Sequence, residues 1–559
     1  MIQDKANSRQ NKTNFLVQGS ILAAASIISR IIGLIYRIPM TSIIGDVGNN
    51  YYGCAFAIYN IILIISSFSL PQAVSKTVSA QVAKGRFSSA YQVFKAAMLF
   101  AVISGLAASL VVYFGAEFFT GTLMRTPHSV YALKVLSPVL LVVAVLGVLR
   151  GFFQGLGTMM PSAVSQIIEQ IVNAIVSVWA AYVLFAHGRT VGAVLGDPEH
   201  YAAAYGAAGG TLGTGAGALA GLLFAVFVFV IYMSVYKRKT KGAKKAKTAP
   251  FFSTFWMLLV TIIPVLLSTT IYNISGIIDQ GIFKNVAILQ GYKEHEIDVW
   301  WGVFSGKYQL LINIPIAIAS AMAASSVPTL TKSFVEKNMD QVREQIHAAI
   351  RFVMVIAFPC TVGLAVLAKP IMLLLFPSTA DTADMAASFM TAGALAVVFF
   401  ALSTLSNGLL QGIDRLKVPV KNAFISLLLH VILLVVLMMS FRLNIYAVVY
   451  SNIFFAFLMC VLNARAIRTY SGYRQEMKKT FLIPAVCSVL MGAVTWLVNY
   501  GLYSLCEINA VAVLTAIFIA MVVYFVAMLL LKGLTEEDLR SFPKGTTLIA
   551  VAKKLHLLQ

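Results

Sequence analysis

Charged side chains are scarce in this chain of 559 residues, since only 11% are Asp, Glu, Lys or Arg, whereas 59% are hydrophobic. An average soluble domain carries roughly 25% charged residues. A soluble fold could not cover so much apolar surface. Apolar runs of the ~20 residues that cross a ~30 Å hydrocarbon layer recur from Phe15 almost to the C-terminus. The composition therefore predicts an integral membrane protein.

Cysteines are few, and the common catalytic motifs are missing from the sequence. The five cysteines have no paired spacing, which favours neither a disulfide framework nor a zinc site. No Walker phosphate loop, His-Glu-x-x-His motif or nucleophile elbow occurs, so neither an ATPase nor a hydrolase is indicated. We expect a non-enzymatic protein without metal or cofactor, coupled to the membrane potential or to an H⁺ or Na⁺ gradient. The cysteines are Cys54, Cys360, Cys460, Cys487 and Cys506.

Acidic residues are half as numerous as basic ones, 21 against 42, and the formal net charge is +21. The basic residues concentrate in alternate gaps between the apolar runs, above all in KRKTKGAKKAK at 237–247. The intervening gaps hold most of the acids. By the positive-inside rule this alternation predicts that both termini are cytoplasmic. The alternation also explains the net charge, so we do not expect nucleic acid as a partner. We expect the basic gap to contact membrane lipids.

The apolar runs predict an all-α polytopic membrane protein with about fourteen transmembrane helices. The predicted helices lie near 15–44, 51–83, 89–117, 130–157, 161–186, 208–236, 251–283, 299–332, 342–368, 386–412, 417–440, 444–468, 478–502 and 508–532. The stretch GAAGGTLGTGAGALAG at 206–221 lacks the strand and the lysine of a phosphate loop. We interpret it as a small-residue surface for helix packing.

Parts of the first half recur in the second half at a constant distance of 257 residues. The pairs are Gly151 and Gly408, Gln154 and Gln411, Gly155 and Gly412, Pro71 and Pro328, and Phe119 and Phe376. This repeat predicts two homologous six-helix lobes, at 1–236 and 251–470. A basic linker at 237–250 joins them, and two extra helices with a cytoplasmic tail follow in 471–559. Transporters with such repeats bind substrate at the interface between the halves.

Three basic residues inside apolar runs are the main functional candidates, because a charge within a membrane helix is costly and normally faces a wet cavity or a partner. Arg30 and Arg37 are seven residues apart and lie on nearly the same side of the first helix. Lys307 lies at a comparable depth in the eighth helix. We predict that the three line one cationic cavity that suits phosphate or pyrophosphate oxygens. The alternatives are snorkelling to the interface, or ion pairs with Asp279 and Glu169.

Acidic and amide side chains add further candidates for substrate binding. Glu169 lies in SAVSQIIEQIVNA, with Gln166, Gln170 and Asn173 on or near its side of the helix. It could bind a coupling cation, hydrogen-bond a sugar or neutralise an arginine. Asn273 and Asp279 belong to the seventh helix, where Asp279 is expected near the outer end. Residues predicted to serve packing or gating are Gly33, Pro71, Gly151, Gln154, Gly155, Pro328, Gly408, Gln411 and Gly412.

Four segments carry a resemblance to a known family: SRIIGLIYRIP, SFSLPQAVSK, RGFFQGLGTMMPSAVSQIIEQIVN and NGLLQGIDRLKVPVKN. They resemble the polysaccharide-transporter branch of the multidrug/oligosaccharidyl-lipid/polysaccharide flippase superfamily, in particular the MurJ-like and stage V sporulation protein B-like lipid II flippases. The resemblance covers residues 15–532. It implies two six-helix bundles, alternating access, and a central cationic cavity for an undecaprenyl-pyrophosphate head group. Arg30 matches the arginine of the family's Ser-Arg motif, and Arg37 approximates the next one. Helix two departs from the family, since IILIISSFSLP replaces a charged patch.

The resemblance implies a flippase that moves a lipid-linked peptidoglycan precursor, lipid II being the leading candidate, from the inner to the outer leaflet of the bacterial plasma membrane. An anionic polyprenyl-pyrophosphate lipid would be the substrate, and cell-wall synthases are candidate partners. The alternatives are export of another lipid-linked polysaccharide repeat unit, multidrug export, which favours acidic cavity groups, and a non-transporting scaffold.

Overall fold

The computed structural model describes residues 2–68, 70–241, 256 and 274–534, which form helices and turns without a β-strand. The α-helices in these residues are α1 Ile2–Leu63, α2 Leu70–Ala83, α3 Phe87–Glu117, α4 Val130–Leu136, α5 Val139–Gly155, α6 Met160–Leu195, α7 Pro198–Lys241, α8 Ser275–Leu289, α9 Glu294–Val303, α10 Gln309–Val335, α11 Met339–Val366, α12 Ala368–Leu375, α13 Ala383–Gly393, α14 Ala396–Gly412, α15 Lys417–Met439, α16 Ile445–Ser471, α17 Ile483–Cys506 and α18 Asn509–Leu530. The all-α prediction is confirmed.

Eleven helical segments of the described residues are long and apolar enough to cross a membrane. The number is twelve if α13 and α14, with the turn Pro377–Thr382 before them, form one span bent by 53°. One of the eleven, Ala24–Val82, is 59 residues long and covers most of both the first and the second predicted helix. The seventh predicted helix, 251–283, lies mostly outside the described residues. The count of fourteen therefore stays a prediction, and the protein is multi-pass.

Breaks in the regular α-helix divide the longest segment, Ala24–Val82, and one later segment. Gly45 in α1 has φ 70° and ψ −177°, which side chains with a Cβ scarcely adopt, so the chain turns there. This position coincides with the predicted gap between the first two helices. A π-helical stretch, Ile64–Phe68, separates α1 from α2, and a second one, Phe304–Tyr308, separates α9 from α10. Hydropathy alone does not reveal either stretch.

The described residues fall into two compact units, within Met1–Gly302 and Val303–Gln559. In the first unit, α6 packs along α7 and α1, while α5 packs on α2 and α3. In the second unit, α10 packs on α14, α16 packs on α14 and α15, and α17 packs on α18 and α11. The predicted lobe boundaries at 236 and 251 stay a prediction.

One predicted gap is wrong. The sequence placed a gap at 187–207, between the fifth and sixth predicted helices, and assigned Asp197 and Glu199 to it. In the structure α6 continues to Leu195 and α7 begins at Pro198, so only Gly196 and Asp197 connect them. Gly196 has φ 84°, the left-handed conformation common where a helix ends. Both helices extend because their small residues pack closely together across the stretch.

Candidate functional site

Helix α6 carries a polar stripe, and the structure packs it against neighbouring helices rather than leaving it open. The stripe consists of Gln166, Glu169, Gln170, Asn173 and Ser177, spaced three and four residues apart. Ser26 of α1 donates a hydrogen bond to Gln166 Oε1 at 3.2 Å, and Asn173 donates one to the Tyr36 hydroxyl at 3.3 Å. The polar side of α6 therefore lies against α1, as expected for a helix side that avoids lipid.

Arg30 and Arg37 lie on the side of α1 close to this stripe. Gly33, one turn from each, is near Gln170, since a Cβ on Gly33 would be 3.6 Å from Gln170 Oε1. The Arg37 guanidinium is half-buried and 5.2 Å from the centre of the Tyr52 ring. Arg30 is exposed and has no hydrogen-bond or ion-pair partner in the described part of the chain. In the described residues the partner of Glu169 is a different arginine, and the role of Arg30 and Arg37 stays a prediction.

Glu169 instead forms an ion pair with Arg150, a residue that the sequence prediction missed. Arg150 Nη2 is 2.7 Å from Glu169 Oε2, and Arg150 Nε donates to Ser165 Oγ at 2.8 Å. Both charged side chains are mostly buried, with 17% and 21% of the side chain exposed. Arg150 is the first residue of the segment RGFFQGLGTMMPSAVSQIIEQIVN, which carries the family resemblance. Its position in that segment was the only indication of its importance in the sequence. Of the three roles left open for Glu169, the structure shows the neutralisation of an arginine.

Lys307 lies in the second unit and is fully buried in the π-helical stretch Phe304–Tyr308. Its Nζ donates to Thr382 Oγ1 at 2.5 Å and to the Thr379 carbonyl at 3.3 Å. The Phe376 ring centre is 5.9 Å away. The ammonium is therefore enclosed by the turn Pro377–Thr382. The grouping of Lys307 with Arg30 and Arg37 in one cavity stays a prediction.

The candidates of the seventh predicted helix are only partly described. Asn273 lies outside the described residues. Asp279, expected at an interfacial helix end, is buried in α8, with 2% of the residue exposed. Five residues later Lys284, another residue that the sequence prediction missed, is buried and donates to Asp298 Oδ1 at 2.8 Å and to Thr126 Oγ1 at 2.6 Å. Lys284 and Asp298 lie at opposite ends of the predicted gap between the seventh and eighth helices, and they meet because the structure folds them into α8 and α9.

The glycine-rich stretch of α7 packs against α6, as predicted. A methyl group on Gly209 or Gly217 would collide with a backbone carbonyl oxygen of α6, and one on Gly213 would collide with Ser177. The Ser177 hydroxyl donates to the Gly210 carbonyl at 2.8 Å. The backbones approach so closely that no side chain fits between them.

The predicted packing glycines make the same kind of contact in each unit. A Cβ on Gly151 would be 2.6 Å from the Pro71 carbonyl oxygen, and one on Gly155 would be 2.7 Å from Val78 Cβ. In the second unit, a Cβ on Gly408 would be 2.7 Å from Ala323 Cβ, and one on Gly412 would be 2.9 Å from Leu330 Cδ2.

These contacts give a different register for the repeat. The glycines are 257 residues apart, but the residues they touch, Pro71 and Ala323 or Val78 and Leu330, are 252 apart. The pairing of Pro71 with Pro328 stays a prediction, since the side chain of Pro328 lies outside the described part of the structure. Gln154 is half-buried, and Gln411 is exposed.

Two family models and several curated relatives match the chain. The chain matches the model of the polysaccharide biosynthesis protein family over residues 16–334 and the model of the MatE family over residues 308–436. The lipid II flippase MurJ of Bacillus subtilis is 26% identical over 513 residues, which are 87% of this chain and 89% of that protein. Stage V sporulation protein B of the same organism is 23% identical over 538 residues, covering 95% and 98% of the two chains.

Solved structures show the same fold. The inward closed conformation of the lipid II flippase MurJ superposes with a TM-score of 0.62 at 17% identity, covering 90% of this chain and 97% of that one. An inward-facing multidrug resistance MATE family transporter of the MOP superfamily superposes with a TM-score of 0.60 at 16% identity, covering 80% and 96%. The relatives whose names state an activity are flippases and transporters, not enzymes.

Proposed function

The chain belongs to the polysaccharide biosynthesis protein family, and from that premise we propose that it is a flippase for a lipid-linked peptidoglycan precursor. The substrate is an undecaprenyl-pyrophosphate lipid, with lipid II as the leading candidate. The protein moves it from the inner to the outer leaflet of the bacterial plasma membrane by alternating access, with both of its own termini in the cytoplasm.

The observation that carries the proposal is the pair of cations on α1. Arg30 has no partner among the described residues, and Arg37 contacts an aromatic ring rather than a carboxylate. An uncompensated cation in a membrane helix is costly, so a ligand that brings negative charge to it gains binding energy. Guanidinium groups bind phosphate oxygens through two parallel hydrogen bonds. A diphosphate therefore suits this side of α1 better than a cationic drug does.

The other predicted residues have supporting roles in this proposal. Lys307 supplies a third cation, while Asn273 and Asp279 contribute polar groups to the head-group site. The Arg150–Glu169 ion pair orients the polar stripe of α6 beside Arg30. The membrane potential or an H⁺ or Na⁺ gradient supplies the energy, and the potential acts directly on a charged substrate and on charged side chains. Cell-wall synthases are the candidate protein partners.

Arg30→Ala and Arg37→Ala test the proposal in proteoliposomes that contain fluorescent lipid II. We expect each variant to lower the rate of lipid II translocation about tenfold or more, because each loses charge-assisted hydrogen bonds to the diphosphate. Arg30→Lys should retain part of the rate, because the charge remains. Arg189→Ala is the matched control, since Arg189 is an exposed arginine of α6 without a partner in the described residues. Translocation at the unmodified rate by the Arg30→Ala/Arg37→Ala double variant would contradict the cation assignment.

A second candidate substrate is another lipid-linked polysaccharide repeat unit, which the family description favours. Competition between fluorescent lipid II and unlabelled polyprenyl-diphosphate sugars separates the two. If a polyprenyl-diphosphate sugar other than lipid II competes more strongly than lipid II itself, that lipid is the substrate. A folded protein that translocates none of these lipids would favour the scaffold alternative.

A further inference from the structure

The second unit contains a cavity of about 490 Å³ that the transport proposal does not use. It lies between α11, α14 and α16 and is closed on one side by the connection from α16 to α17. Three arginines line it: Arg465 and Arg468 from α16, and Arg474 from the connection. All its lining residues belong to the second unit, so the cavity is complete without any residue of the first.

The three arginines are available for a ligand. All three side chains are exposed. No guanidinium group among them has an ion-pair or hydrogen-bond partner within the residues that the structure describes. The neighbouring carboxylate, Glu476, is already engaged, since it accepts hydrogen bonds from the Lys479 backbone N–H at 3.1 Å and from the Thr480 hydroxyl at 3.0 Å. The lining contains three arginines and no acidic residue, so the cavity has a net positive charge.

A second observation points independently to a bound acceptor. Gln475 lines the same cavity, and its amide Nε2 is buried without a hydrogen-bond partner in the described structure. A buried donor without an acceptor costs ~1–3 kcal/mol, so an acceptor that reaches Gln475 Nε2 would be stabilised there. Burial raises the pKa of the adjacent Tyr473 to about 12, so this phenol stays neutral and does not repel an anion.

The remaining wall is apolar. Ile350, Leu402 and Met477 line it, together with Cys460, whose thiol is held by the Phe399 carbonyl oxygen at 3.1 Å. The cavity thus combines a cationic, hydrogen-bonding part with an apolar part, as a lipid with a charged head group requires. A small hydrophilic anion would leave the apolar wall unused.

The position of the three arginines in the chain indicates which leaflet the ligand comes from. Arg465, Arg468 and Arg474 lie in one of the basic gaps that predict the cytoplasmic side, where the leaflet holds anionic lipids and attracts juxtamembrane cations. We propose that this cavity binds the phosphate of an anionic phospholipid of the inner leaflet. The arginines and the Gln475 amide hold the head group, and an acyl chain lies along the apolar wall. The site belongs to a resident lipid rather than to the translocated one.

Lipid binding to the purified full-length protein tests the proposal. The probe is dioleoyl phosphatidylglycerol in mixed micelles, with dioleoyl phosphatidylcholine as the neutral comparison, and retained lipid is counted by native mass spectrometry. We expect Arg465→Gln/Arg468→Gln/Arg474→Gln to weaken phosphatidylglycerol binding about tenfold or more, because three charge-assisted contacts are lost. The control Lys417→Gln/Lys421→Gln/Lys478→Gln removes the same charge from exposed residues that do not line the cavity, and should bind normally.

Two further variants separate a local site from a folding defect. Gln475→Leu keeps all charges and should weaken binding severalfold by removing the amide donor. Ala464→Trp, which fills the cavity, should prevent retention of the lipid while leaving the thermal unfolding midpoint in phosphatidylcholine unchanged. Equal loss of binding in the arginine and lysine variants would overturn the site in favour of diffuse surface charge. Protection from thermal unfolding by inorganic phosphate as strong as that by phosphatidylglycerol would overturn the lipid assignment in favour of a free anion.

Discussion

Three basic side chains that are buried or mostly buried in the described helices have polar partners. Lys284 has a carboxylate, Arg150 has a carboxylate and a serine hydroxyl, and Lys307 has a threonine hydroxyl and a carbonyl oxygen. Arg30 differs, because no described residue neutralises it. A charge with a resident partner stabilises the fold, whereas a charge without one is available to a ligand. This contrast is why Arg30 is the more informative residue for function.

The Lys284–Asp298 pair should be structural. Lys284→Met alone leaves a largely buried carboxylate without its cation and should lower the free energy of unfolding by about 3–5 kcal/mol. Asp298→Leu alone should have a similar effect. The double variant should recover most of the loss, because apolar residues of similar size replace a buried ion pair at little cost. Thermal unfolding in detergent, followed by intrinsic fluorescence, measures all three. Additive losses in the double variant would show that the two side chains do not act as a pair.

At the residue scale, sequence reasoning identified some polar groups but not their partners. The stripe on α6 was predictable, because residues spaced three and four apart share one side of a helix. Its ion pair was not, because Arg150 lies on α5 and meets Glu169 only through packing. The same holds for Lys284, whose partners Thr126 and Asp298 lie 158 and 14 residues away.

At the scale of elements, the helices depart from straight rods at places that hydropathy does not reveal. The apolar runs predicted where helices occur, since length and hydrophobicity suffice for that. The π-helical stretches and the continuation of α6 to Leu195 depend on packing against neighbouring helices. The turn in α1 depends on one backbone conformation, at Gly45.

Gly45→Ala should disturb this turn through the backbone alone. No atom lies within 4 Å of the position that a Cβ would occupy, but φ is +70°. We expect a loss of about 1–3 kcal/mol in the free energy of unfolding, the usual cost of a non-glycine residue in this region. Gly363→Ala is the matched control, since Gly363 in α11 also has open space and lacks the positive φ. That substitution should be neutral or slightly stabilising. Equal thermal unfolding midpoints for the two variants would contradict the strain at Gly45.

For the whole molecule, orientation in the membrane rests on charge distribution. Fold class and family membership were predictable from the sequence, because hydropathy and four motifs extend over most of the chain. The number of spans was harder to predict from the sequence. The count depends on whether two helices joined by a bend, such as the one of 53° between α13 and α14, form one span, and apolar runs do not show such bends.

Native cysteines offer a direct test of the orientation. Cys506 is exposed at the end of α17, in a gap predicted to face outward, whereas the other four cysteines are buried or half-buried. A membrane-impermeant maleimide added to intact protoplasts should therefore label the protein once, and Cys506→Ser should abolish the labelling. In that background, Lys479→Cys should react only after permeabilisation, because Lys479 lies in a predicted cytoplasmic gap. Labelling of Lys479→Cys from outside would invert the topology.

The contact between α6 and α7 has a consequence for how the protein is made. The two helices are joined by only Gly196 and Asp197, and their backbones touch along the glycines of α7. If α6 partitioned alone into the bilayer, Glu169 and Asn173 would meet lipid at a high cost. Because α7 leaves the ribosome immediately afterwards and its Gly217 packs against α6 at Glu169 and Asn173, the pair can enter the membrane as one helical hairpin. The glycines therefore serve biogenesis as well as packing: they let a polar helix leave the translocon together with the neighbour that shields it.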